Sequence, residues 1–259
     1  MQPWQTVDRA RVEGGTELVL ARRGDEWVVR NDGRVLMSSR QHGSEDALAT
    51  MALAALRRPG GARTVLVGGL GLGYTLRATL DRIGPDARAV VAEICPELVE
   101  WNRGPVAHLA GRPLEDPRTR LQVGDVAARI AEARGAFDAI LLDVDNSPSS
   151  MVLAGNDRLY GSRGVRACVD ALSAGGVLAV WSAGPDDAYR ERLEQAGLEA
   201  RAVTVPARGP GAGGARHVLF LGVKSGASPR RPGSGEPPGR ARAAPRPGAR
   251  RAARPSRRR

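Results

Sequence analysis

The segment from Thr64 to Glu93 constrains the fold more than any other. Thr64-Val65-Leu66-Val67 is a short apolar, β-branched run, and Gly68-Gly69-Leu70-Gly71-Leu72-Gly73 follows it directly. Leu76, Leu80 and Ile83 then recur at helical spacing, and a second apolar run, Ala89-Val90-Val91-Ala92, is closed by Glu93. This order reads as strand, tight loop, helix, strand and terminal acid, the opening unit of a doubly wound sheet. Successive glycines let the backbone turn sharply and approach a ligand closely. Glu93 stands 20 residues beyond Gly73, the remove at which a carboxylate accepts hydrogen bonds from two ribose hydroxyls. The unit points to an adenosine-containing ligand.

Glycine spacing narrows the ligand further. Nicotinamide and flavin enzymes use G-x-G-x-x-G, whose third glycine allows close contact between helix and strand. Here the glycines fall at Gly69, Gly71 and Gly73, and Tyr74 occupies the position three after Gly71. That pattern favours the G-x-G-x-G loop of class I S-adenosylmethionine (AdoMet) enzymes over a dinucleotide fold.

Around this unit the chain alternates strand and helix from Ala62 to Lys224, which predicts a mostly parallel Rossmann-like sheet with helices on both faces. Strands are expected at 64–68, 89–93, 120–123, 137–142, 177–181, 200–205 and 217–223, the last two as an antiparallel pair. Helices are expected at 74–82, 96–102, 126–132, 163–172 and 186–196. Upstream, 16–21, 27–30 and 34–38 read as short strands, with Asp32-Gly33 a hairpin signal. Ser44 is the expected cap of a helix whose first turn carries Glu45 and Asp46. The domain reading is a β region over 1–43, an AdoMet-binding α/β domain over 44–224 and a tail over 225–259.

Charge separates the tail from the rest. The net charge is +11, but Ser225 to Arg259 holds eleven arginines against one glutamate, which leaves the remainder close to neutral. The tail is Pro, Gly, Ala, Ser and Arg without apolar periodicity, so it is read as disordered, capable of weak, nonspecific, salt-sensitive contact with nucleic acid. No run approaches the roughly 18 consecutive apolar residues of a membrane span, and the first residues lack a signal-peptide core. A cytoplasmic protein without membrane attachment is expected. Cys95 and Cys168 form no C-x-x-C pair and are expected to be buried, reduced and structural. His42, His108 and His217 show no metal-ligand spacing, so no metal is expected.

Further candidate site residues follow from strand ends. Leu121-Gln122-Val123-Gly124-Asp125 ends a strand in Gly124-Asp125, where the acid can accept from an adenine amino group or cap the next helix. Phe137 to Asp143 is a strand ending in acid at the carboxyl edge of the sheet, where open α/β sheets bind ligands. Asp143-Val144-Asp145-Asn146-Ser147-Pro148 places two carboxylates two residues apart in that loop. Asp143 and Asp145 are the candidate catalytic residues, able to orient or deprotonate a nucleophile that attacks a carbon beside a sulfonium. Gly69, Gly71, Gly73, Glu93, Gly124, Asp125 and Asp143 are the candidate cofactor contacts.

The order glycine loop, Val91-Ala92-Glu93, Asp116-Pro117-Arg118, Gly124-Asp125 and Phe137-Asp138-Ala139-Ile140-Leu141-Leu142-Asp143 resembles the spermidine synthase (polyamine aminopropyltransferase) family within the class I methyltransferase fold. The resemblance spans roughly 16–224. It implies decarboxylated AdoMet as donor, a polyamine acceptor such as putrescine, a general-base Asp after the fourth strand, and dimers or tetramers, here read as a homodimer. The departures concern the amines. Leu72 stands where the family's loop carries its donor-binding Asp. The family's Gln, Tyr and His of the amine site fall on Leu36, Glu45 and Asp46, and the loop after Asp143 is one residue longer.

The reading is thus a spermidine synthase-like transferase using AdoMet or decarboxylated AdoMet and a small-molecule acceptor, with methyl transfer slightly favoured over aminopropyl transfer because the cofactor half is kept and the amine half altered. The alternatives are a non-catalytic cofactor-binding or oligomerising module with a basic tail, and a nucleic-acid methyltransferase. Against the latter, Asn146-Ser147-Pro148-Ser149 lacks an aromatic to stack on a flipped base.

Overall fold

The computed structural model describes residues 2–11, 17–144 and 157–226. Asp145, the loop after it and nearly all of the Arg-rich tail lie outside these residues.

The chain begins with a four-stranded antiparallel sheet in sequential order, formed by β1 (Gln5–Arg11), β2 (Glu17–Arg23), β3 (Glu26–Asn31) and β4 (Arg34–Ser38). Asp32 (φ 45°) and Gly33 (φ 80°) are both left-handed, the geometry a two-residue hairpin demands and Asp-Gly supplies. Strand β1 was not expected from the sequence. Only Ala10 of its seven residues is buried, so it is an edge strand without an apolar face to betray it.

The α/β part follows as α1 (Gly43–Ala54), β5 (Thr64–Gly68), α2 (Tyr74–Leu80), β6 (Arg88–Glu93), α3 (Pro96–Arg103), β7 (Thr119–Val123), α4 (Val126–Glu132), β8 (Phe137–Leu142), α5 (Asp157–Tyr160), α6 (Ser162–Ala171), β9 (Leu172–Ser182), α7 (Asp187–Gln195), β10 (Leu198–Pro206) and β11 (Arg216–Lys224). Seven strands form one sheet in the order β10-β11-β9-β8-β5-β6-β7. The run from β7 to β9 is parallel, and β11 pairs antiparallel with both β9 and β10. This is a class I methyltransferase sheet.

Its central strands carry apolar residues on both faces because each face is covered. Val65, Val67, Ala89, Val91, Ala139 and Leu141 pack with Leu48 of α1 and Leu76 of α2. The alternate residues, Leu66, Val90, Ile140 and Leu142, pack with Ile130 of α4, Cys168 of α6 and Tyr189 of α7. A third cluster joins the first sheet to the glycine loop and α3 through Leu20, Trp27, Val29, Leu72, Leu98 and Trp101. Trp101 Nε1 also donates to Asp8 Oδ2 of β1 at 2.8 Å.

Two acids of the family-like motifs are structural. Asp138, 3% exposed, accepts from Arg58, Ser173 Oγ and the backbone N–H groups of Arg63 and Thr64. Burial alone would raise its pKa, yet these donors outweigh it and hold the group below its ordinary value. It ties the amino-terminal ends of β5 and β8 together, at the edge of the sheet opposite Gly68 and Asp143. Asp116 closes a corner on Arg118, accepting from its backbone N–H and guanidinium, which pushes the acid down to about 2. Cys95 and Cys168 are buried free thiols. Among the described residues no helix is long and apolar enough to cross a membrane.

Candidate functional site

Strand order reverses between β5 and β8: β6 and β7 lie on one side, and β9, β11 and β10 on the other. Ligands of open α/β sheets bind at the carboxyl ends of the strands at such a switch point. The residues there are Gly68 to Gly73 after β5 and Asp143 after β8.

Gly69, Gly71 and Gly73 have φ values of 90°, 53° and 87°, a region L side chains rarely adopt. At Gly69 the constraint is doubled, because a Cβ would lie 2.1 Å from the carbonyl oxygen of Asp143. The two leucines between the glycines anchor the loop in opposite directions. Leu70 packs into the main core, while Leu72, 5% exposed, packs into the cluster under the first sheet. Leu72→Ala is therefore expected to destabilise the protein by about 2–3 kcal/mol. Calorimetry would read this as a lower Tm, and a ligand-induced Tm rise should survive the change; its loss would mean that the side chain serves binding rather than packing.

Glu93, 5% exposed, lies beneath this loop. Its Oε2 accepts the Leu70 N–H at 2.8 Å and its Oε1 accepts the Cys95 N–H at 2.8 Å. A carboxylate has about four acceptor sites, so one on each oxygen stays available for a ligand hydroxyl. The apolar neighbours Ile94 and Val123 are 65% and 57% exposed, and Val123 is the β7 partner of Glu93. Sequence reasoning missed them, although an apolar residue directly after the acid was a usable signal. Gly124 donates its N–H to Glu93 O at 2.8 Å, and a Cβ there would meet nothing within 4 Å. Asp125 is the N-cap of α4, its Oδ1 accepting the Ala127 N–H at 2.8 Å. Of the two roles open to it in the sequence, capping is the one observed.

Asp143 Oδ2 accepts the hydroxyl of Thr75, from the first turn of α2, at 2.6 Å. The residue is half-buried. Burial pushes its pKa up, and the Thr75 hydrogen bond opposes the rise only in part. Opposite it stands Glu45 of α1, raised first by burial and then by the negative charge of Asp143. Two half-buried acids thus influence one another beside the glycine loop, and among the described residues no Lys or Arg forms an ion pair with either.

Ser44 does not cap α1 as expected. The N-cap is His42, without a side-chain cap, because the Ser44 hydroxyl is turned inward, 2.6 Å from Glu45 Oε2, 2.9 Å from His217 Nδ1 and 3.1 Å from Trp181 Nε1. His42 stacks on Tyr74 with ring centroids 4.0 Å apart, and its Nδ1 lies 3.0 Å from Asp46 Oδ2. The hydrogen bond to Asp46 raises His42 despite burial, while burial and the Asp46 and Glu45 charges push Tyr74 up to about 12. A Cβ on Gly71 would touch Met37 Sδ of β4 at 3.4 Å, so the first sheet reaches over the loop. This end of the site therefore carries a tyrosine and a histidine, at Tyr74 and His42 and not at Glu45 and Asp46.

No protein-family model and no curated protein matches the chain. Solved structures do. Spermidine synthase from Thermotoga maritima superposes with a TM-score of 0.69 at 18% identity, over 85% of this chain and 73% of that one. A spermidine synthase in complex with the transition-state analogue AdoDATO gives 0.68 at 18% identity, over 85% and 72%. A probable spermidine synthase from Corynebacterium glutamicum ATCC 13032 gives 0.59 at 15%, over 85% and 79%. The chain has the spermidine synthase fold, a small antiparallel sheet followed by a class I methyltransferase sheet.

Proposed function

We propose that the protein is an AdoMet-dependent transferase that moves a methyl group, in preference to an aminopropyl group, onto a small-molecule acceptor. The observation that carries this reading is the meeting of Glu93 and Asp143 on the two sides of one glycine loop at the strand switch point. In this proposal Gly69, Gly71, Gly73 and Gly124 keep the backbone low beneath the donor. Glu93 takes the ribose hydroxyls on its remaining acceptor sites, and Ile94 and Val123 cover the purine faces. Asp125 keeps one oxygen on α4 and turns the other to the adenine amino group.

The bound donor supplies an electrophilic carbon next to a positively charged sulfur. Asp143, held by Thr75 at the edge nearest the first sheet, orients the acceptor and takes its proton as the new bond forms. Asp145, outside the described residues, is proposed beside it. Glu45, Asp46 and Asp143 make the mouth acidic, which suits an amine acceptor, and a polyamine is one such amine. Methyl transfer is preferred because Leu72 is committed to packing. Both donors bring an ammonium, but only AdoMet brings its own carboxylate beside it, and burying the ammonium of the decarboxylated donor without a carboxylate costs several kcal/mol.

Mass spectrometry of products, after incubation with AdoMet or decarboxylated AdoMet and a panel of amines, tests the reading. A methylated amine is the expected product. New spermidine from putrescine would overturn the preference for methyl transfer. Donor binding without any product would favour a binding module of the same fold.

A further inference from the structure

Ser44 is fully buried, and its hydroxyl has three polar neighbours: Trp181 Nε1, Glu45 Oε2 and His217 Nδ1. A serine hydroxyl donates one hydrogen bond and accepts two, whereas an indole N–H can only donate. Trp181 therefore occupies one acceptor site of Ser44 Oγ. One acceptor site and one proton are left for Glu45 and His217, so one of them must donate to Ser44 while the other accepts from it. Either Glu45 is a carboxylic acid and His217 Nδ1 is bare, or Glu45 is a carboxylate and Nδ1 carries a proton. These arrangements differ by the shift of two protons along a line of three side chains, with no heavy atom displaced.

One end of that line faces the proposed acceptor and the other reaches solvent. Glu45 lies within electrostatic reach of Asp143 at the end of β8, of Tyr74 on α2 and of His42 just before α1, itself paired with Asp46. His217, on β11, is half-buried. It packs edge-on against Trp181 of β9 at 4.6 Å and lies opposite Val205 of β10. Burial holds Glu45 toward its acid form and His217 toward its neutral form, so the first arrangement is the resting one near neutral pH.

We infer that Ser44 and His217 form a proton relay that drains the Asp143 and Glu45 pair during transfer. The inference rests on the transferase reading above. As the acceptor nitrogen bonds to the donor carbon and the carbon–sulfur bond breaks, the acceptor's proton passes to Asp143. In this proposal Asp143 hands it on to Glu45 as Glu45 releases its own, so both carboxyls return to their starting state. Glu45 then gives its proton to Ser44 Oγ while the serine's own proton moves to His217 Nδ1. The imidazolium loses one proton to water, which matches the one given up by the acceptor. Ser44 and His217 are positioning and relay residues and do not touch the substrate.

The test uses the full chain with ¹⁵N-labelled histidine, whose three residues, His42, His108 and His217, are few enough to assign. Near neutral pH His217 should hold its proton on Nε2, and it should change to the Nδ1–H tautomer as rising pH ionises Glu45. In Glu45→Gln the tautomer should no longer respond to pH over that range. In His217→Asn, kcat for transfer should fall about 100-fold with the KM for donor unchanged, and added imidazole should restore part of it. A tautomer indifferent to pH in the wild type overturns the relay, and so does a His217→Asn variant with unchanged kcat. If the wild type transfers nothing from either donor, the transferase reading fails, and the tautomer switch still decides whether Glu45, Ser44 and His217 are coupled.

Discussion

Glu93→Gln should all but abolish the rise in Tm that AdoMet, or its decarboxylated form, gives the wild type. Each hydrogen bond from a ribose hydroxyl to a desolvated carboxylate contributes about 1.5–3 kcal/mol. Losing two weakens binding by about 10²- to 10⁴-fold. At a ligand concentration a hundred times Kd, the wild type gains about 2.7 kcal/mol, or roughly 5–10 °C in a domain of this size. The variant at the same concentration should gain about 0.4 kcal/mol at most, a shift below about 2 °C. Its basal Tm should also fall, because Leu70 and Cys95 donate their N–H groups to the two carboxylate oxygens and a glutamine has only one oxygen to offer. The decisive quantity is therefore the ligand-induced difference within each protein, read by differential scanning fluorimetry. A shift retained in Glu93→Gln would remove the residue from the ribose site. No shift in the wild type with either donor would sink the cofactor proposal.

The unit from Thr64 to Glu93 was legible because its signals are local. Buried parallel strands are written as unbroken apolar runs, and left-handed turns are written as glycine. Acids at strand ends were legible as residues but not as roles. Asp138 and Asp143 bound the same strand, yet one fastens its amino end to Arg58, Arg63 and Thr64 while the other opens onto the switch point. Only the direction of the strand in the sheet separates them. In the sequence Leu72 stands out only as a missing carboxylate, and the structure adds what the leucine does: it anchors the loop in the cluster of Trp27 and Trp101. The Ser44 cluster was beyond reach of the sequence. Ser44 and His217 are 173 residues apart, and they meet because β11 inserts between β9 and β10. Ser44 instead carried a strong local signal for a helix cap, which the buried hydrogen bonds to Glu45, Trp181 and His217 overrode.

Asp143→Asn should lower kcat by about 10²- to 10⁴-fold, the span associated with loss of a general base, while leaving the donor-induced Tm rise in place. The amide oxygen can still accept from Thr75, so the loop geometry is preserved while the proton acceptor is lost. The wild-type pH profile follows from the raised pKa of this carboxyl. The active form is the carboxylate, so kcat should fall as pH drops through a value above the ordinary carboxylate range. Stability moves the other way. A carboxyl with a folded pKa above its unfolded one binds its proton more tightly in the native state, so its contribution is fully present below the unfolded pKa and is lost as pH rises through the folded pKa. Asparagine carries no such penalty. The variant should be more stable than the wild type by about 1–3 kcal/mol at pH 8 and should lose that advantage near pH 4. Thermal melts of both proteins across this range check the stability, and product formation across the same range checks the rate. An Asp143→Asn protein that is slower yet no more stable at pH 8 would show that the carboxylate is not under burial strain, and one with unchanged kcat would place the base elsewhere.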